Sequence, residues 1–358
     1  MLVAPYPIRM NGQHRRANLI PIHLNKIALD RGADCIVLNE MMSHALTRSI
    51  QNKLHELGWM YRSTQLSFNP FKGKLMRGGV IILSRYPIVF TASEVFDRCQ
   101  GSDCLVSKGV VIALIQKNYN LVAVLGTHLQ AWDNEQSKRI RNKQLSRVSQ
   151  FITRLQLPEE VPVILSGDLN IDYYTSRPII QQIEQSLYLK VPKIRITQTS
   201  PVFTVDPEGN TLVGNDDPTG YITQEYPDGC YESYMNTLAC DCCKGEWLDY
   251  VMYHTKHLTP TRSYIECIRL KSSPFNTQLS SSTERIIDDL SDHFPVIGIL
   301  EFPRQKHLEI HKIVERARTM IDRPNTSSCD FMYGYMYPIS IVSLLFCLYL
   351  IIRLRSKK

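Results

Sequence analysis

The ten residues VPVILSGDLN, 161–170, read as an apolar strand from Val161 to Ser166 that runs straight into a polar turn carrying Asp168 and Asn170. Open α/β sheets present their ligand groups at strand ends, so this stretch places a carboxylate and an amide where a substrate would lie. Four other segments have the same design: LNE ending at Glu40, GTHLQA with His128, LDYV with Asp249, and SDHFPV with Asp292 and His293. A single carboxylate or histidine after a strand is most often a cap, a solvated turn or a structural group. Five such ends in one chain form the ordered set expected when several strands converge on one phosphate and one hard cation.

The residue types suit that chemistry. A phosphodiester is anionic, so its hydrolysis near neutral pH needs a divalent cation or donors on the nonbridging oxygens, together with a base for the attacking water. Glu40 is a hard oxygen ligand of the kind Mg²⁺ takes in ones and twos while keeping its waters. His293 is the natural base, because imidazole titrates near neutrality and a neighbouring carboxylate can fix its tautomer.

Outward from these ends, the periodicity predicts helices over 18–30 (Ile20, Leu24, Ile27), 46–57 (Leu46, Ile50, Leu54, Leu57, closed by Gly58) and 136–155 (Leu145, Val148, Phe151, Ile152). Strands are predicted over 34–40, 80–84, 110–116, 121–128, 161–166, 248–253 and 294–302. Residues 189–246, rich in Thr, Pro, Gly, Asp and Cys, lack a period and read as loops. Beyond Arg304 the chain turns basic, and Ile310, Ile313, Val314, Ala317 and Ile321 share one helical face. Such a helix suits an anionic surface or a solvated connector.

The 358 residues are 44% hydrophobic and 21% charged, which is globular composition and disfavours both disorder and a multi-span membrane protein. The net charge of +7 gathers largely in the last fifty residues rather than in a stripe that could track a nucleic-acid backbone, so no nucleic-acid partner is expected. Ten cysteines, with Cys99 near Cys104 and with Cys230, Cys240, Cys242 and Cys243 clustered, point to disulfides and an oxidising compartment; Cys240 and Cys243 also form a C-x-x-C that a zinc site could use. No signal peptide is visible at the start of the chain. The uncharged run between Asp330 and Arg353 is long enough for a transmembrane helix, with tyrosines at one end and RLRSKK at the other. The expected plan is a catalytic domain over 1–303, a basic juxtamembrane linker over 304–330, a span over 331–352 and a basic tail over 353–358.

The five segments, in this order and together with RGGVIILSRYPI at 77–88, resemble the endonuclease/exonuclease/phosphatase superfamily. THLQA at 127–131, C-x4-C-L-x-x-K-G at 99–109 and R-x-x-Q-L at 141–145 narrow the resemblance to neutral and bacterial-type sphingomyelinases, over most of residues 10–302. The resemblance implies a two-sheet α/β sandwich, DNase I-like, with helices on the outer faces. It implies hydrolysis of sphingomyelin in membranes by a phosphoric diester hydrolase that uses Mg²⁺, with Mn²⁺ as a substitute. Another phosphatase or nuclease of the same fold, or a non-catalytic homologue, is the alternative. Position by position, Glu40 and Asp292 would lie at the metal, and His128 and Asn170 at the phosphate. Asp168 would orient the water or protonate the leaving oxygen, and His293 would be the base, paired through Asp249. Lys108 and Gln130 are further candidates. A single-pass membrane protein with a luminal or extracellular enzyme domain is expected. Two departures stand out: the family's first strand has no counterpart here, and the stretch NTQLSSSTERIIDDL, where relatives carry an aromatic hairpin, has no aromatic residue.

Overall fold

The computed structural model describes residues 12–206, 209–212, 245–278, 284–305 and 308–322. The apolar run at 331–352 and the cysteine cluster at 230–243 lie outside them. Among the described residues no helix is long and apolar enough to cross a membrane.

The central layer is a mixed six-stranded sheet of β4 (Ile88–Val95), β5 (Gly109–Lys117), β6 (Asn120–His128), β7 (Val163–Asp168), β10 (Asp249–His254) and the short β8 (Leu189–Lys190), in that spatial order. Its strands are Val/Ile/Leu-rich on both faces, as a sheet covered on both sides requires. Val110, Ile112 and Leu114 face one core and Val111, Ala113 and Ile115 the other. The β6–β7 pair is parallel, with α3 (Glu135–Arg154) as its crossover, and the other pairs are antiparallel.

Two three-stranded sheets cover one face. One is β1 (Cys35–Leu38), β3 (Ile81–Ser84) and β2 (Tyr61–Arg62); the other is β14 (Val296–Glu301), β11 (Arg262–Cys267) and β9 (Lys193–Ile194). The expected two-sheet sandwich is therefore present with its second layer in two pieces. β1 lies over β7 and β14 over β10, so the edge strands β1 and β14 flank a cavity of about 590 Å³ floored by β6, β7 and β10. Helices α1 (Gln13–Asp30) and α2 (His44–Glu56) seal the outer face of β1 and β3 through Ala17, Ile50, Leu54 and Trp59.

The opposite face of the six-stranded sheet is covered by α3, by α4 (Arg177–Ser186) and by the helix at Ile310–Asp322, here α5. Ile313, Val314 and Ala317 of α5 are buried in that core. The apolar face that could have served a lipid surface is thus used for packing, and Gln305 just before it exchanges two hydrogen bonds with the backbone of Leu121, at 2.8 and 2.7 Å.

The reading of 189–246 as loops needs correction over its described part. Besides β8 and β9, Val205 bridges to Glu246, and Val202 and Phe203 are buried in the main core. β4, α4 and β11 carry no sequence signal, nor does the hairpin of β12 (Lys271–Gln278) and β13 (Glu284–Asp289). β4 lies at a sheet edge, α4 is short, and β11 carries exposed and half-buried polar residues over its first half.

Candidate active site

Strand register assembles the site. His128 pairs with Asp168 across the parallel β6–β7 ladder, and Asp168 pairs with Asp249 across the antiparallel β7–β10 ladder, so three side chains stand in a row at one level of the sheet. Paired residues on neighbouring strands share a face. His293, in the turn before β14, completes the row: its Nδ1 lies 2.7 Å from Asp249 Oδ2. Asp168, Asp249 and His293 each offer a ligand atom, all within 4.8 Å of one another.

Glu40 and Asp292 reach the same place from the other layer, for both line the cavity beside Asp168, Asp249 and His293. Glu40 sits just past β1 at φ 56°, and Asn170 past β7 at φ 51°. Two non-glycine residues in the left-handed region at one site are a local strain of the kind that clusters where function is built. Gly79, at φ 71°, is needed beneath Glu40, because a Cβ there would fall 2.7 Å from the Met41 backbone nitrogen.

The structure brings His128 alongside Asp168, at 3.4 Å, but beneath the cavity wall: it is 3% exposed. Lys108 holds it from below. The Lys108 ammonium is itself buried and donates to the Leu129 carbonyl at 2.6 Å, to Asp103 at 2.7 Å and to His128 Nε2 at 3.1 Å. These three contacts use its three protons. Nε2 of His128 is then the acceptor and Nδ1 carries the proton. Burial, and then the charge of Lys108, push the His128 pKa well below its ordinary value, so the ring is neutral. Asn170 braces the same corner: its backbone N–H donates to Asp168 Oδ1 at 2.7 Å and its amide to the Leu129 carbonyl at 3.1 Å.

The three narrow motifs interlock around this corner. Gln130 exchanges hydrogen bonds with the Gln100 backbone, inside the turn closed by the Cys99–Cys104 disulfide. Asp103 in that turn accepts from the Ala131 N–H as well as from Lys108. Arg141 and Gln144 of α3 hold the backbone of Gln130, and Gln144 also donates to the Arg98 carbonyl.

Sequence reasoning missed the second set of braces. Thr204 Oγ1 accepts from the Leu248 N–H at 2.9 Å, and the Thr204 carbonyl accepts from the Phe294 N–H at 2.7 Å, so one residue ties the Asp249 and His293 segments together. Asn210 donates to the carbonyls of Ser291 and Asp292, and the buried Arg16 of α1 to that of Leu290. All three lie outside the strand-end motifs, in stretches whose polar residues carry no period.

The field of the site is strongly negative. Burial and the proximity of Asp249 push the Asp168 carboxyl up to about 7. Burial alone would pull the His293 imidazolium down, yet Asp249 first, with Asp168 and Asp292 adding, holds it at about 10. The unfolded imidazole gives up its proton near its ordinary value of 6.5, so His293 contributes stability that is full below that value and is lost as pH rises toward 10. The metal-free protein is therefore expected to show a falling Tm from about pH 7 to about pH 9 in EDTA, and His293→Ala to flatten that slope. An equally steep slope in the variant would assign the effect elsewhere.

The same donors fit a hard cation. Carboxylates of Glu40, Asp168, Asp249 and Asp292 face one cavity, and the buried Asn39 Oδ1 beside Glu40 has no hydrogen-bond partner among the described residues. An oxygen-rich set of this kind suits Mg²⁺. Asn39 was not singled out from the sequence, where an asparagine before a glutamate has no distinguishing feature.

No protein-family model matches the chain. Two curated proteins similar to it are sphingomyelinase C of Bacillus cereus, 28% identical over 306 residues (81% of this chain, 83% of the other), and sphingomyelinase C of Listeria ivanovii, 25% identical over 307 residues (81% of each). Among solved structures, a double mutant of Staphylococcus aureus beta toxin with bound magnesium ions superposes with a TM-score of 0.65 at 22% identity, covering 81% of this chain and 93% of that one. From the order of its strand-end motifs to the sheet that carries them, the chain is similar to the bacterial sphingomyelinases C and shares their mixed α/β, DNase I-like fold.

Proposed function

We propose that the chain is a Mg²⁺-dependent sphingomyelin phosphodiesterase that releases phosphocholine and leaves ceramide in the membrane. The observation that carries this reading is the row His128, Asp168 and Asp249, set by strand register and joined by His293 through Asp249, beside a cavity that Asp168, Asp249, His293, Glu40 and Asp292 line, in a chain similar to sphingomyelinases C over four-fifths of its length.

A bound Mg²⁺ would supply charge neutralisation at the phosphoryl oxygens, held by Glu40 and Asp292 with Asn39 within reach. The chain's own residues do the rest. Asp249 Oδ2 accepts from His293 Nδ1, which leaves Nε2 of the ring to take a proton from the attacking water. Asp292 both raises His293 and would help to hold the cation, so a bound cation would draw the ring's pKa back toward that of a base. Asp168 is poised between its two forms near neutral pH and can place a proton on the departing ceramide oxygen. The Asn170 N–H fixes its Oδ1.

The disulfide Cys99–Cys104 supports a luminal or extracellular enzyme domain, and the apolar run at 331–352 supports a membrane tether, which would meet its lipid substrate at high effective concentration. The direct test is phosphocholine release from sphingomyelin vesicles by the full chain, with Mg²⁺ or with EDTA, beside a duplex DNA substrate. Mg²⁺-dependent release at least about 10³-fold above the EDTA control is expected, with no DNA cleavage. DNA cleavage without phosphocholine release would replace the lipid reading with a nuclease.

A further inference from the structure

A second cleft, of about 590 Å³, opens on the outer side of the small sheet, between α2 and the segment from Arg62 to Ser67. Arg48, Arg62 and Arg77 line it, with His44 from the first turn of α2, and among the described residues no carboxylate does. Among the described residues Arg62 and Arg77 donate to amide oxygens, those of Gln51 at 3.2 Å and Gln65 at 3.3 Å, so their charge is positioned but not neutralised.

Gln51 supplies the independent observation. It lines the cleft, is 7% exposed, and its Nε2 is buried with no hydrogen-bond partner among the described residues. An unsatisfied buried donor costs stability unless a ligand completes it. The cleft that Gln51 lines also carries three guanidiniums, a donor set that suits a phosphate.

The two ends of the cleft wall, Ser67 and Arg77, are also the ends of a projecting loop. In it Asn69 and Lys74 bridge, the Asn69 side chain caps Lys72, and Phe71 is held fully exposed at the tip, with Phe68 and Leu75 about half exposed beside it. A braced apolar tip beside a cationic cleft is complementary to an anionic bilayer, whose phosphates lie just above its acyl chains.

We propose that this cleft binds a phosphate group, with Arg48, Arg62, Arg77 and Gln51 as its donors, and that the headgroup of an anionic phospholipid supplies it while the Phe71 loop enters the bilayer. The site is separate from the cavity that holds His293, and it does not rest on the hydrolytic reading.

The test is calorimetric titration of the full chain in neutral-detergent micelles, in EDTA and on the His293→Ala background, with dihexanoyl phosphatidate and separately with inorganic phosphate. Arg48→Ala/Arg62→Ala is expected to weaken binding of the phosphatidate at least about tenfold, since each lost charge-assisted contact is worth that much. Arg48 and Arg62 are exposed, so the variant folds; an unchanged melting curve checks it. Phosphatidate bound about tenfold more tightly than phosphate, with the difference lost in Phe71→Ala, identifies the bilayer as the source. Equal binding of the two, still lost with the arginines, keeps the phosphate site and overturns the lipid. Binding unaffected by the double variant overturns the proposal.

Discussion

His293→Ala is expected to lower kcat for phosphocholine release by about 10⁴-fold while leaving KM within about threefold of the parent. Removing a positioned base takes away proton transfer in the transition state and little of the ground-state binding. The geometry makes the assignment sharp, because Asp249 already occupies Nδ1 at 2.7 Å and only Nε2 is free to act. The variant also leaves Asp249, which lies close to Asp168, without its cationic partner, so in EDTA it should lose about 2 kcal/mol of stability from the broken charge-assisted bond. Mg²⁺ should restore most of that loss but none of the activity. If the purified variant hydrolyses sphingomyelin within tenfold of the parent rate, His293 leaves the mechanism.

Asp168→Asn should separate activity from stability in the opposite sense. The carboxyl is 6% exposed and faces Asp249 across the ladder, and burial with that like charge is what moves it to about 7. An isosteric amide keeps the shape, removes the repulsion and cannot deliver a proton. The expected result is a loss of about 10³-fold in kcat together with a Tm above the parent's, measured in EDTA above pH 7, where the parent carboxyl is charged. A lower Tm would mean that the Asn170 N–H contact needs the carboxylate more than the site suffers from it.

Most of what the sequence reveals here is periodic. The strands at 121–128 and 161–166 and the helices at 46–57 and 136–155 are legible because each buries one continuous apolar face, and their ends fall within about two residues of the observed ones. The site row is legible for a related reason: an apolar run that stops at His128 or Asp168, or starts at Asp249, announces both strand and functional end. The braces are not, because Thr204, Asn210 and Arg16 act through single hydrogen bonds from stretches without a period. The order of the chain also hides the depth of His128. Its place beneath the cavity wall follows from Lys108, twenty residues earlier, arriving at the start of a neighbouring strand to take Nε2.

The turn closed by Cys99 and Cys104 spans five residues of separation. A cross-link over so short a segment withdraws little freedom from the unfolded chain, worth about 2 kcal/mol in the entropic account against nearly 5 for a hundred-residue loop. Yet the turn holds Asp103 on Lys108 and Gln100 on Gln130, one layer of side chains behind His128. The bond therefore governs shape more than persistence: in a reducing milieu the molecule would remain folded while the floor under its histidine loosened.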